Sequence, residues 1–349
     1  MLDRDDHWMH QALQEARKGV GKTAPNPPVG AVIVKDDIRL GGGWHRGAGQ
    51  PHAEREALAD VYQKHGADAV KGSTIYITLE PCSTHGRTPP CTQGLIDAGL
   101  ARVVYPGVDR NPVHAGRADR LLQAAGIEVR SGVGVEAAEL LLRPFFKVLE
   151  TGLPWVIWKT AMSLDGRITR APGEGQWLTS EAARTDVQQL RATVDAILTS
   201  GETVRRDHPA LTIRVPALLE GRSQPWRVIA TDRPESLPRQ AAIFTDKFRE
   251  RTLIRPRHDL AGTLRGLAKE QGVLSVMVEA GGVFSAALFE AGLVDEAVVY
   301  YAPLICGGSL PAVGGDGLKE ALRLNRVEFL QFGSDIRMRG TVARASCPQ

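Results

Sequence analysis

Short apolar or β-branched runs alternate with helix-period segments along this chain, and the alternation stops and restarts at Glu150-Thr151-Gly152-Leu153-Pro154. Such a β-α-β-α rhythm buries its apolar faces by laying helices on the faces of a sheet, so an α/β architecture is expected on both sides of the break. In the first series residues 29–34, Val-Gly-Ala-Val-Ile-Val, are apolar throughout, as in a strand covered on both faces. Strands are also expected at residues 74–78, 102–105 and 127–130. Asp5 or Asp6 can cap a first helix with Met9, Ala12, Leu13 and Ala16 at helical spacing. Further helices are expected from near Pro51 and over residues 92–100, 117–125 and 136–149. Ala24-Pro25-Asn26-Pro27-Pro28 ends the first helix, Lys35-Asp36-Asp37 turns the chain, and Gly41-Gly42-Gly43 leads to Trp44 and His45. The second series has strand candidates at 155–159, 196–198, 227–230, 252–254, 275–278 and finally 297–301. At about 100–200 residues per domain, 349 residues read as a domain of residues 1–146, a linker of 147–154 and a domain of 155–349.

Charge is nearly balanced, with 43 basic and 40 acidic side chains and a net charge of +3. A protein that tracks nucleic-acid phosphates carries a stronger basic excess or a basic stripe, so no nucleic-acid partner is expected. The longest apolar stretch, residues 297–306, is interrupted by Pro303 and falls far short of the ~20 residues of a membrane helix. Met1-Leu2-Asp3-Arg4-Asp5-Asp6 is acidic and has no apolar core for a secretory signal. Four cysteines in a chain of this length make no disulfide framework. These features describe a soluble, cytoplasmic enzyme of two domains.

The chemistry in the first half lies in His52-Ala53-Glu54, at the start of a helix, and in Pro81-Cys82 and Cys91 after a strand. One imidazole and two thiolates suit zinc, and three protein ligands leave the fourth tetrahedral position to water. Bound zinc lowers the pKa of water from 15.7 to about 7. Glu54, two residues beyond His52, is placed to take that proton and deliver it to a leaving amine. Cys91 sits where a helix begins, which favours thiolate over thiol. Each element stands where the deaminase signature H-x-E…P-C-x-x-C puts it, except that Cys82 and Cys91 are nine positions apart.

That longer spacing carries a resemblance. Pro81-Cys82-Ser83-Thr84-His85-Gly86-Arg87-Thr88-Pro89-Pro90-Cys91 resembles the zinc loop of the bifunctional riboflavin-biosynthesis deaminase–reductases. Pro25-Asn26-Pro27-Pro28-Val29-Gly30, Gly43-Trp44-His45 and Asp109-Arg110-Asn111-Pro112 are similar to the same family, with Ala118 a mild departure where the family carries glycine. The resemblance implies a cytidine-deaminase-like fold, with His52, Cys82 and Cys91 on one Zn2+ and Glu54 as proton shuttle. It also implies that Asn26, His45, His85 and Arg87 line a pyrimidine pocket.

The second half lacks a dinucleotide fingerprint. Gly132-Val133-Gly134-Val135-Glu136-Ala137 has no third glycine and reads as a plain strand–helix turn. The series Lys159-Thr160-Ala161-Met162-Ser163-Leu164-Asp165-Gly166-Arg167-Ile168, Gln176-Trp177-Leu178-Thr179, Gly201-Glu202-Thr203-Val204-Arg205-Arg206-Asp207 and Pro209-Ala210-Leu211-Thr212-Ile213-Arg214 resembles the reductase half of the same family. That half has a dihydrofolate-reductase-like fold and uses NADPH. By resemblance Ala161, Trp177, Thr203 and Asp207 contact the cofactor and Leu211 lies beside the substrate. Arg191 and Arg214 are guanidinium groups suited to the substrate's phosphate. Glu279 ends a strand and is expected to hydrogen-bond a substrate hydroxyl or amine. Backbone amides at the helix start that follows, through Gly281, Gly282, Val283, Phe284, Ser285, Ala286 and Ala287, would cradle the cofactor phosphates. Gly175 replaces a serine that the family presents to substrate, and Cys306 and Cys347 have no motif around them.

The resemblance implies two steps on one chain: deamination of a 2,5-diaminopyrimidinone ribonucleotide, then hydride transfer from NADPH to C1′ of the opened ribose. The partner is a small phosphorylated pyrimidine, and a homo-oligomer, dimer or tetramer, is expected. Two other readings share the zinc motif: a deaminase acting on nucleic-acid bases, and a closed structural zinc site with His85 as fourth ligand.

Overall fold

In a computed structural model that describes residues 4–84, 90–111, 116–170, 173–174 and 177–343, the apolar run of residues 29–34 becomes β1 (Gly30–Lys35), buried on both faces. Asp36 and Asp37 take φ of 50° and 63° and turn the chain into antiparallel β2 (Ile38–Trp44). β3 (Thr74–Ile77) pairs antiparallel with β1, and β4 (Arg102–Tyr105) and β5 (Glu128–Ser131) run parallel to β3 in the order β2-β1-β3-β4-β5. Side chains alternate across this sheet. Val32 and Val34 pack with α1 (Arg4–Arg17) and α5 (Val135–Thr151). Ala31 and Ile33 pack with α2 (Ala53–His65), α3 (Cys91–Asp97) and α4 (Arg117–Ala124).

The sequence reading places no strand over residues 38–44, whose three glycines carry no β-branched side chains. Packing explains them. A Cβ on Gly43 would lie 2.6 Å from the backbone nitrogen of Ala57, and one on Gly41 would lie 2.7 Å from Cγ2 of Val61. α2 therefore rests directly on the backbone of β2, and this contact sets where its first turn, with Glu54, lies. Gly132 and Gly134 form the turn into α5, with Gly134 against Met9, as the plain-turn reading expects. α5 continues to Thr151, so residues 147–151, assigned to a linker from the sequence, form its last turns. Gly152 at φ 69° ends the helix. The chain divides there into two compact units, Met1–Thr151 and Gly152–Gln349.

The second unit carries an eight-stranded sheet. Its elements are β6 (Trp155–Ser163), α6 (Glu181–Arg191), β7 (Ala196–Ser200), α7 (Gly201–Asp207), β8 (Trp226–Ala230), α8 (Ala242–Thr245), β9 (Thr252–Arg255), α9 (Leu260–Gln271), β10 (Ser275–Val278), α10 (Gly282–Glu290), β11 (Glu296–Ala302), β12 (Leu324–Phe332) and β13 (Asp335–Val342). The order is β12-β13-β11-β6-β10-β7-β8-β9, parallel from β11 to β9, with β13 and β12 antiparallel. Val156, Leu198, Val228, Val276 and Val278 meet α9 and α10 on one face. Ile157, Ile197, Ile229, Met277 and Val298 meet Val187 and Leu190 of α6 on the other. β12 and β13 lie beyond the last strand expected from sequence. β12 is an edge strand with nearly every residue exposed, so no buried face imposes a period of two on it.

Gly43→Val should push α2 off β2 and destabilise the first unit by about 1–3 kcal/mol, the usual cost of overpacking. Thermal unfolding should show the first unit melting earlier while the second is unchanged.

Candidate active sites

Three donor atoms converge in the first unit. His52 immediately precedes α2, Cys82 follows β3, and Cys91 opens α3. His52 Nδ1 lies 3.6 Å from Cys82 Sγ and 3.3 Å from Cys91 Sγ, and all three atoms fall within 4.8 Å of one another. A tetrahedral zinc with bonds of about 2.0–2.1 Å to nitrogen and about 2.3 Å to sulfur spans N···S edges of about 3.5 Å, so the donor set fits that ion. A hydrogen bond from the Cys91 thiol, with help from His52 and the Cys91 backbone N–H at 3.3 Å, holds Cys82 down at about 4. The same Cys82 neighbour, together with burial, pushes the Cys91 thiol up. Two sulfurs so close both carry charge only with a cation between them.

Glu54 occupies the first turn of α2 and is 4% exposed. Burial first, and the charge of Cys82 second, raise its carboxyl above the ordinary 4.5. A carboxyl raised in this way beside the donor set has the character of a general acid–base group. His45 is buried with its ring edge-to-face on His52, the centroids 5.4 Å apart. Its Nδ1 donates to the Pro51 carbonyl at 3.0 Å, which leaves Nε2 to accept from Asn26 Nδ2 at 2.9 Å. His45, one of the expected pocket residues, thus stands against His52 and holds a second, Asn26. His85, Arg87, Gly175 and Cys347 lie outside the described residues.

In the second unit a charged cluster forms where β6, β10 and α6 meet. Register pairs Trp158 with Val278, so Lys159 and Glu279 are next neighbours along adjacent parallel strands. Glu279 receives Arg191 through Nε at 2.8 Å and Nη2 at 3.0 Å, and Lys159 Nζ stands 3.8 Å away. Burial alone would raise Glu279, but Arg191 and Lys159 outweigh it and hold the carboxyl at about 2. Burial also lowers Lys159 below its ordinary value, against the pull of Glu279. Lys159 Nζ lies 5.7 Å from the Tyr300 ring centre. The Tyr300 hydroxyl donates to Asp186 at 2.6 Å, and Arg337 completes that chain at 2.7 Å.

The segment before β8 is pinned at several atoms. Arg227 donates to the Ala210 carbonyl, Arg191 to that of Thr212, and Gln224 bonds both polar backbone groups of Ile213. Gln188 accepts the Arg214 N–H at 2.8 Å. These bonds hold Leu211, buried, at φ 49°, a conformation that costs a leucine energy. Arg214 is exposed beyond it.

Residues 2–106 match the cytidine and deoxycytidylate deaminase zinc-binding region, and residues 154–338 match the RibD C-terminal domain. The riboflavin biosynthesis protein RibD of Escherichia coli is 42% identical, the match covering 95% of this chain and 98% of that protein. The chain belongs to the RibD family. RibD of Acinetobacter baumannii superposes with a TM-score of 0.87 at 38% identity, covering 97% of this chain and 99% of the other. A Thermotoga maritima diaminohydroxyphosphoribosylaminopyrimidine deaminase/5-amino-6-(5-phosphoribosylamino)uracil reductase superposes at 0.85 with 31% identity, covering 97% and 99%. The fold is therefore a cytidine-deaminase-like domain followed by the RibD reductase domain, as the resemblance implies.

The second unit's site departs from the sequence expectation in two respects. The fork of Arg191, expected on the substrate's phosphate, faces Glu279 instead. The backbone N–H groups of Phe284 and Ser285, expected on the cofactor phosphates, donate to the Gly281 carbonyl at 3.1 Å each, and the side chains of Phe284, Ser285 and Ala286 are buried. Gly281, Gly282 and Val283 form the uncapped start of α10, where a Cβ on Gly282 would collide with the Pro311 carbonyl. Ala287 lies further along that helix. Thr203 sits in the first turn of α7, bonded to Ser200 at 2.9 Å, and Asp207 is exposed at its end. Ala161 is half-buried in β6. Trp177 is half exposed beside Arg184, 5.4 Å from its ring centre, in a cavity of about 290 Å³ shared with Arg170, Thr179, Ser180 and Leu304. The residue missed from sequence is Lys159. Its signal is a lone cation directly after Trp155-Val156-Ile157-Trp158 in a strand.

Glu279→Gln leaves two buried cations without their counter-charge and should destabilise the second unit by about 3–5 kcal/mol. Because the folded pKa lies below the ordinary 4.5, the carboxylate's contribution is full above pH 4.5 and disappears as pH falls toward 2. Urea unfolding at pH 7 and pH 3 should show the variant losing less stability than wild type over that interval.

Proposed function

We propose that this member of the RibD family deaminates 2,5-diamino-6-(5-phosphoribosylamino)pyrimidin-4(3H)-one in its first unit and, with NADPH, reduces 5-amino-6-(5-phosphoribosylamino)uracil in its second. The observation that carries this reading is the donor set of His52, Cys82 and Cys91 with the buried carboxyl of Glu54 beside it. Three donors among the described residues match the pattern of a catalytic zinc, which keeps its fourth position open. Bound there, zinc supplies a water activated at neutral pH. Glu54 would accept a proton from the attacking water and pass it to the leaving amine, so that one water is consumed, the ring carbon gains an oxygen and ammonia leaves. His45, its tautomer fixed by Pro51 and its Nε2 held by Asn26, borders the place where the pyrimidine must lie.

In the second unit NADPH supplies hydride for C1′. The uncapped N–H groups at Gly281, Gly282 and Val283 suit its phosphates, with Thr203, Asp207, Ala161 and Trp177 as further contacts. Glu279, ionised and held by Arg191, accepts from a substrate hydroxyl or amine, and Lys159 is placed to deliver the one proton the reduction consumes. Arg214 is the exposed guanidinium for the ribose phosphate, and Leu211 sits beside the sugar. The near-neutral net charge favours this small phosphorylated partner over nucleic acid. Among the described residues no helix is long and apolar enough to cross a membrane, which agrees with a cytoplasmic enzyme. Self-association as homodimer or homotetramer is supported by the edge hairpin β12–β13, which exposes Val327, Phe329, Leu330 and Ile336.

Glu54→Gln should cut ammonia release about 10²–10⁴-fold, with zinc retained and reduction of the deaminated substrate unchanged. Intact ammonia release from a zinc-loaded variant would contradict the assignment.

A further inference from the structure

Neither reaction uses one buried carboxylate. Glu80 is 3% exposed and lies between β3 and the ligand Cys82. Its Oε2 accepts the N–H groups of Asp109 at 2.8 Å and Gly116 at 3.1 Å, and its Oε1 accepts that of Ala118 at 3.1 Å. These donors stand at the two ends of the connection from β4 to α4. β3 and β4 are parallel neighbours, so Cys82 and this connection leave the same sheet edge, the edge beyond which ligands bind in such sheets. Arg110 grips the connection from outside. It pairs with Glu139 and Glu150 of α5 at 2.7 Å each and stacks 4.4 Å from the Phe146 ring centre. Asp109, between the two anchors, accepts the Asn111 N–H at 2.9 Å and closes the turn.

We propose that Glu80 is a positioning residue for deamination, tying the turn of Asp109 to Asn111 to the segment that carries Cys82 and so fixing one wall of the pyrimidine pocket. A carboxylate is required because both oxygens accept. A glutamine would turn an NH2 group onto one of the three N–H donors. Arg110 holds the same turn against α5, so the two anchors act on one element. The inference rests on assigning deamination to the site of His52, Cys82 and Cys91.

The test is steady-state kinetics of Glu80→Gln and Arg110→Ala in the full chain, with zinc content measured on each. Glu80→Gln should raise the KM for the diaminopyrimidinone ribonucleotide about 10–100-fold, the worth of a hydrogen bond to a charged group. It should change kcat less, keep its zinc and reduce the deaminated substrate at the wild-type rate. Arg110→Ala, whose exposed ion pairs are weaker, should raise the same KM about 2–5-fold. An unchanged KM in both variants, or loss of zinc in proportion to lost activity, overturns the proposal. Full ammonia release by zinc-loaded Glu54→Gln defeats the underlying assignment instead, so the two failures are distinguishable.

Discussion

The close approach of α2 to the glycine backbone of β2 is the constraint on which the first active site depends. Without side chains at Gly41 and Gly43, the helix descends onto the sheet, and its first turn is held at one height. His52 at its start then meets the two sulfurs that leave β3 and open α3. Glu54, one half-turn on, is carried into the interior, where loss of water raises its carboxyl. Geometry and acidity at this site are thus consequences of one packing contact.

The second unit is organised by charge. Arg191, Glu279 and Lys159 come from three separate elements and are all largely withdrawn from water. Burying such groups costs energy unless each is paired, and here the two cations share one carboxylate. Lys159 is held further by the Tyr300 ring, itself fixed through Asp186 and Arg337. A carboxylate and an amine are therefore fixed side by side near the end of β10, next to the uncapped start of α10.

The zinc donors, Glu54 and the strands of the first sheet other than β2 were legible in the sequence because each has a local signal, either a short motif or an apolar run. β2 was not, because its glycines answer to a helix distant in sequence rather than to strand propensity. β12 was hidden for a related reason: an exposed edge strand has no buried face to write a pattern. In the reductase half, guanidinium chemistry pointed to Arg191 and a strand end to Glu279, but not to their pairing, which exists only once α6 and β10 are packed together. Likewise Phe284 and Ser285 look like parts of a phosphate cradle in sequence, and only the folded helix shows their N–H groups turned back onto the Gly281 carbonyl.

The central claim is that one chain performs deamination before reduction at two chemically separate sites. It is tested most directly by supplying the diaminopyrimidinone ribonucleotide and NADPH to the zinc-loaded enzyme while ammonia and NADPH are followed independently. The account predicts that ammonia release leads and NADPH oxidation follows at one equivalent each. It also predicts that stripping the metal stops both with this substrate, yet leaves NADPH oxidation by the deaminated compound intact. NADPH oxidation that proceeds without ammonia release would contradict it.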